Sequence, residues 1–186
     1  MEKIFVTKPY LPPLEEFYDY LKLIWKNKQL TNNGPLHKQF ETELSKYLGV
    51  QYVSLVNNAT IGLMIVFESM KLTGEVITTP FSFIATSHSL KWNGLKPIFV
   101  DTDNYIGNLT SDSIEKKIGK QTRAILATHN FGFPSELIKI GNLSKKYNLP
   151  LIYDAAPAFG VKINGESLLK FGDFSVISFH ATKVLN

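Results

Sequence analysis

Beyond Gly49, short runs rich in β-forming residues alternate with stretches of helical spacing, and this alternation limits the fold more than any other feature of the chain. Strands are expected over residues 52–56, 75–79, 97–100, 124–127, 151–153 and 174–179. Helices are expected between them, over roughly 60–71, 84–92, 111–118 and 136–147. Strands that alternate with helices imply an α/β domain whose sheet is mostly parallel and flanked by helices. Ahead of this region, residues 14–28 mix apolar and charged side chains at roughly helical spacing. A second helix is expected from Pro35 to Tyr47, with Leu36, Phe40, Leu44, Tyr47 and Leu48 on one face and Gly49 as its stop.

Several function classes can be set aside. The 186 residues contain no cysteine, so disulfides and thiolate metal sites are excluded, and no metal site is expected. The absence of cysteine also fits a reducing cytoplasm, which is the expected location. The N-terminal residues carry charges early and have no long apolar run, so neither a signal peptide nor a membrane span is expected. The net charge of +4 comes from lysines scattered over helix faces rather than from a basic run, so no nucleic-acid partner is expected. Arg123 is the only arginine. A bidentate clamp for a substrate carboxylate would have to use it or come from outside this chain.

In open parallel sheets, reactive groups gather at the carboxyl ends of the strands. After the first predicted strand, Asn57-Asn58-Ala59-Thr60-Ile61-Gly62 opens a helix whose first turn favours an anion, unless Asn58 or Thr60 is simply a cap. After the second, Pro80-Phe81-Ser82-Phe83 offers an aromatic that can cover a flat ring. His88 in the next helix reads as structural, whereas His129, after the fourth strand, could be structural or face a cleft. Asp154 ends the apolar run Leu149-Pro150-Leu151-Ile152-Tyr153, where a carboxylate is costly without a partner. The last strand leads into Ser178-Phe179-His180-Ala181-Thr182-Lys183. Burial of a lysine there would favour the neutral amine that attacks aldehydes. A helix start for phosphate, an aromatic for a ring, a carboxylate for a ring nitrogen and a lysine for an aldehyde are the parts of a pyridoxal 5'-phosphate (PLP) site. No glycine-rich loop of the dinucleotide or nucleoside-triphosphate type is present.

These segments resemble the DegT/DnrJ/EryC1/StrS family of PLP-dependent sugar aminotransferases. The most specific match is Ser-Phe-His-Ala-Thr-Lys at 178–183, joined by Tyr-Asp-Ala-Ala at 153–156 and Pro-Phe-Ser-Phe-Ile-Ala-Thr at 80–86. The resemblance implies a fold type I large domain over 35–186, preceded by a helical segment over 1–34 and truncated before the C-terminal small domain. It implies that Lys183 is catalytic, bonding to PLP and later moving a proton. Asp154 would hold the pyridine nitrogen protonated, Phe83 would stack on the ring, and Thr60, the Ile61 backbone and Ser178 would hold the phosphate. His180 takes no assigned role.

The implied reaction transfers an amino group from glutamate to a nucleotide-linked keto-sugar. The segments TNNGPLHKQFE and NNATIGL look most similar to enzymes of dTDP-linked 4-keto-6-deoxy sugars. Homodimers and polysaccharide, lipopolysaccharide or antibiotic-sugar synthesis are expectations at the level of the family. Two features depart from the family pattern. Pro157 stands where Gln or His usually touches the ring hydroxyl, and relatives continue for about as long again beyond Lys183. The alternative is a non-catalytic remnant that keeps the fold, with or without cofactor or partner binding.

Overall fold

The structure, a computed structural model, describes residues 3–5 and 7–185. They form two compact units. One takes in the chain up to Leu55 together with the segment from Phe179, and the other runs from Val56 to Ser178.

In the first unit, α1 (Leu14–Asn27) follows Pro13 and ends at Lys28 in the left-handed conformation. α2 (Pro35–Leu48) starts on a proline whose missing N–H costs a helix start nothing, and it ends at Gly49 at φ 63°. Leu44 and Leu48 of its expected apolar face are buried, and Phe40 packs on Phe179 at 5.5 Å between ring centroids. Residues 52–56, expected as a strand, form none. A strand needs a neighbour's ladder, and the Leu55 N–H instead donates to the Glu41 carboxylate at 2.8 Å. Tyr52, at 82% exposure, has no sheet face to rest on.

The second unit follows the expected alternation. In chain order it contains α3 (Ala59–Ser69), β1 (Glu75–Thr78), α4 (Ile84–Trp92), β2 (Lys96–Phe99), α5 (Ser111–Glu115), β3 (Thr122–Thr128), α6 (Leu137–Tyr147), β4 (Leu151–Asp154), β5 (Lys162–Ile163), β6 (Glu166–Ser167) and β7 (Phe174–Val176). Five strands form a sheet in the order β2-β1-β3-β4-β7, and every pairing in it is parallel. β5 and β6 make a small antiparallel hairpin that strand propensity did not flag. Its turn is Asn164-Gly165, both at positive φ, which is the backbone a two-residue hairpin requires.

Both faces of the parallel sheet are buried, and the twofold alternation of the strands sorts their side chains. Ile77, Ile125, Ala127, Leu151 and Tyr153 join one core with Ile114, Ile140 and Leu143 of α5 and α6. Val76, Ala124, Leu126, Ile152 and Val176 join the other with Leu63, Phe67 and Leu90 of α3 and α4. At the β2 edge, the N–H groups of Lys96 and Val100 point inward to Gly74 and Thr78. The outward-facing positions between them are Pro97 and Phe99, and of these Pro97 has no N–H to offer a further strand.

His129 follows β3 and is fully buried, its ring stacked on Tyr153 at 4.2 Å and 22°. The residue therefore serves the core rather than a cleft. Its Nδ1 accepts from the Ser135 N–H at 3.3 Å, so the neutral ring carries its proton on Nε2, which has no hydrogen-bond partner among the described residues. Burial lowers the His129 imidazole to about 4 and pushes the Tyr153 phenol up to about 12.

Because the His129 pKa is depressed on folding, its contribution to stability is complete above about pH 6.5 and is lost as pH falls toward 4, amounting to about 3 kcal/mol. Urea midpoints at pH 7 and pH 4.5 should fall less in His129→Phe than in the parent. An equal acid loss in both would refute this account. α1 buries none of its residues and exposes Leu14, Phe17, Tyr18 and Trp25 along one face, which predicts self-association of the isolated chain. A single monomeric species in sedimentation velocity at tens of micromolar would count against it.

Candidate active site

Asp154 is the last residue of β4, paired with Thr128 of β3 and Val176 of β7. It lies two residues after Ile152, so it points to the face covered by α3 and α4, opposite Tyr153. The carboxylate is 9% exposed. Its Oδ2 accepts a hydrogen bond from Thr86 Oγ1 at 2.6 Å, and its Oδ1 accepts from the Ala156 N–H at 3.2 Å. The first distance is typical of a hydroxyl donating to an ionised oxygen.

Phe83 is the N-cap residue of α4 and is 77% exposed, so its ring stands at the sheet's carboxyl edge and not in the core. Phe81 nearby is tilted against Phe131 at 6.4 Å, and its N–H is held by Thr79 Oγ1. Thr60 and Ile61 lie in the first turn of α3. Asn58 is the cap of this helix, and its Oδ1 accepts from the Ile61 N–H at 2.9 Å. An anion at this turn meets the Thr60 hydroxyl and the N–H groups of Ala59 and Thr60, which have no intrahelical acceptor. It must share or displace Asn58 to reach Ile61. A Cβ on Gly62 would lie 3.0 Å from Val176 Cγ1, so a residue with no side chain lets this helix start press against β7. Ser178 follows β7 and is partly buried.

Thr60, Ile61, Phe83, Asp154 and Ser178 thus share the second unit, whereas Lys183 belongs to the first. Lys183 is partly buried in a turn closed by its N–H to the His180 carbonyl at 2.7 Å. His180 Nδ1 accepts from the Thr182 N–H at 3.3 Å and lies 2.9 Å from its hydroxyl. His180 therefore shapes the lysine turn, a role its sequence position did not disclose. Arg123 sits at the amino end of β3, where its guanidinium donates to the carbonyls of Lys120 and Thr122. It is engaged far from the carboxyl edge and is no substrate clamp.

The loops at that edge are tied together by polar groups that the sequence reading passed over. Asn108 donates to the carbonyls of Phe133 and Pro134 and accepts from the Asn130 N–H, while Asn130 donates to the carbonyls of Phe81 and Gly107. The Asp103 carboxylate gathers N–H groups from Ile106, Tyr105, Asn108 and, at 3.4 Å, Gly107. The bond from Ile106 does most to hold that carboxyl below its usual range. A Cβ on Gly107 would meet the Phe81 ring at 2.2 Å, so the loop approaches as closely as it does because that residue is glycine.

Comparison with known proteins is decisive for the family. The profile of the DegT/DnrJ/EryC1/StrS aminotransferase family matches residues 14–186. The chain belongs to that family. Its relatives include the dTDP-4-amino-4,6-dideoxy-D-glucose transaminase of Shigella dysenteriae, 54% identical over an alignment that covers 100% of this chain and 51% of the relative. Among solved structures, DesI in the presence of its TDP-sugar product is 34% identical, with a TM-score of 0.94 over 98% of this chain and 47% of that one. NtdA from Bacillus subtilis, with the cofactor PMP bound, is 29% identical, with a TM-score of 0.86 over 99% of this chain and 43% of that one. The chain spans about half the length of the curated relatives it matches. Its parallel α/β fold is that of its structural neighbours in this family of enzymes.

The loop ties generate one expectation. Asn108→Ala removes two donated bonds and one accepted bond at a side chain 4% exposed. It should destabilise the second unit by about 2–3 kcal/mol, since buried backbone groups lose their partners. Chemical denaturation measures this, and a change below about 0.5 kcal/mol would remove Asn108 as the organiser of the edge.

Proposed function

We propose that this chain is the PLP-binding part of an aminotransferase that moves an amino group from glutamate to a nucleotide-linked keto-sugar, a dTDP-4-keto-6-deoxyhexose. The observation that carries the reading is the buried carboxyl group of Asp154, hydrogen-bonded at the carboxyl edge of a parallel sheet. A relative 54% identical that carries the name of a dTDP-4-amino-4,6-dideoxy-D-glucose transaminase supports the choice of substrate.

The residues present fit the cofactor. A buried carboxylate suits a protonated ring nitrogen, an exposed phenyl at a helix cap suits the flat ring, and the first turn of α3, whose Ala59 and Thr60 N–H groups have no intrahelical acceptor, suits phosphate. When bound, PLP supplies an electron sink for the bonds of the amino-bearing carbon. In this reading Asp154 accepts the hydrogen bond of the ring N–H and keeps it protonated, and Phe83 covers one face of the ring. The Thr60 hydroxyl, the Ile61 N–H once freed from Asn58, and the Ser178 hydroxyl hold the phosphate. Lys183 would supply the amine that holds the cofactor's aldehyde and, as a free base, would carry a proton during the transfer. Pro157, which has no side-chain donor, leaves the ring hydroxyl to other contacts. Residues 35–186 form the cofactor-binding domain after a helical segment over 1–34, and the protein works as a cytoplasmic homodimer.

The test is the absorption spectrum of the chain with PLP, before and after borohydride, beside Lys183→Ala. The parent should show a visible band that borohydride converts to a permanent adduct, and the variant should show none. Absence of any Lys183-dependent band would sink the proposal. With the keto-sugar nucleotide, glutamate should yield one 2-oxoglutarate per amino-sugar, at a rate lowered about 10²–10⁴-fold in Lys183→Ala. Cofactor binding without this turnover would favour a remnant that keeps the fold and has lost the reaction.

A further inference from the structure

Thr86 has no place in the roles assigned above, yet it makes the shortest contact to the carboxylate on which they rest. It is the third residue of α4 and is fully buried. Its N–H donates to the Phe83 carbonyl at 3.0 Å, and its own carbonyl accepts from Ser89 Oγ at 2.9 Å, so its backbone is fixed within the first turn of the helix. A threonine hydroxyl in a helix ordinarily turns back to a carbonyl three or four residues earlier. This one leaves its helix and reaches a residue 68 positions away, donating to Asp154 Oδ2 at 2.6 Å. That length lies in the range of a hydroxyl donating to a carboxylate oxygen, and the hydroxyl is directed at Asp154 rather than at its own helix. The Ala156 N–H holds the other oxygen, so the plane of the carboxylate is set from two directions.

We propose that Thr86 is a positioning residue for the amino-transfer site. Its buried hydroxyl fixes the charged Asp154 carboxylate and, through it, keeps a bound pyridine nitrogen protonated, without touching substrate or cofactor itself. The inference rests on the PLP reading given above. It also links two roles in one helical turn. Phe83 and Thr86 are three residues apart, so the turn that presents the aromatic to the ring face is the turn that presents the hydroxyl to the carboxylate. A shift of the α4 start would disturb both together.

The experiment uses PLP labelled with ¹⁵N at the ring nitrogen, bound to the full chain, with the ¹⁵N chemical shift and the dissociation constant read for the parent, Thr86→Val, Thr86→Ser and Asp154→Ala. The parent should show a protonated ring nitrogen. Thr86→Val should move the shift toward the unprotonated position and weaken PLP binding about three- to thirtyfold, the effect of one hydrogen bond to a charged acceptor. Thr86→Ser, which keeps the hydroxyl, should restore the shift and bring the dissociation constant to within about threefold of the parent. Asp154→Ala should deprotonate the ring most completely. If Thr86→Val does not fold, Thr86→Ala takes its place with the same expected result. A parent-like shift and affinity in a variant without the hydroxyl would overturn the role of Thr86 while leaving the PLP reading standing. Failure of serine to restore the shift would reduce Thr86 to a packing residue. A parent chain that binds no PLP would overturn the PLP reading and this inference with it.

Discussion

A carboxylate held at 9% exposure among apolar strands is unstable unless other groups compensate for the water it has lost, and the second unit is arranged around that need at Asp154. The alternation of β4 turns the side chain away from the tyrosine core and toward the α4 face. The first turn of α4 then brings a hydroxyl to one oxygen, and the turn after β4 brings a backbone N–H to the other. Neither donor comes from the sheet itself. The positions of α4 and of the 155–157 turn relative to β4 are therefore coupled to the charge of one residue, and the remaining loops at this edge are held in register with them by Asn108, Asn130 and Asp103.

The opposite face is built by a different means. His129 and Tyr153 fill it with two stacked rings that are kept neutral by burial, and Gly172, at φ 79°, passes so close that a Cβ there would lie 2.9 Å from the Leu151 carbonyl and the Tyr153 ring. One side of the sheet end is thus tightly packed and uncharged, and the other is charged and hydrogen-bonded. In a parallel sheet buried on both sides, a single residue step along β4 separates these two environments.

Much of this was legible in the sequence because the signals were periodic. The strand–helix alternation located five of the sheet's strands, and α4 matches its expected bounds from Ile84 to Trp92. The features that escaped depend on partners distant in sequence. Residues 52–56 have the composition of a strand, but composition reports propensity and not whether a neighbour is present to pair with. Thr86 sits on the buried stripe of α4 with Ser89 and Leu90, a polar residue where an apolar one is usual, and that was the available hint of its contact with Asp154. The hairpin at Asn164-Gly165 carried a strong turn signal, yet its two-residue strands were too short for any alternation to show. His129 was ambiguous because residue type alone does not reveal which face of a strand end a side chain joins. At α3, the competition between a cap and an anion was foreseen, and the structure shows that Asn58 has already claimed the Ile61 N–H.

Pro97 on β2 has a bearing on how copies of this chain can meet. With one of its outward donors missing, the β2 side of the sheet is a poorer template for another strand, whereas β7 carries no further strand on its far side among the described residues. A single imino acid thus biases the addition of strands toward the other margin of the sheet.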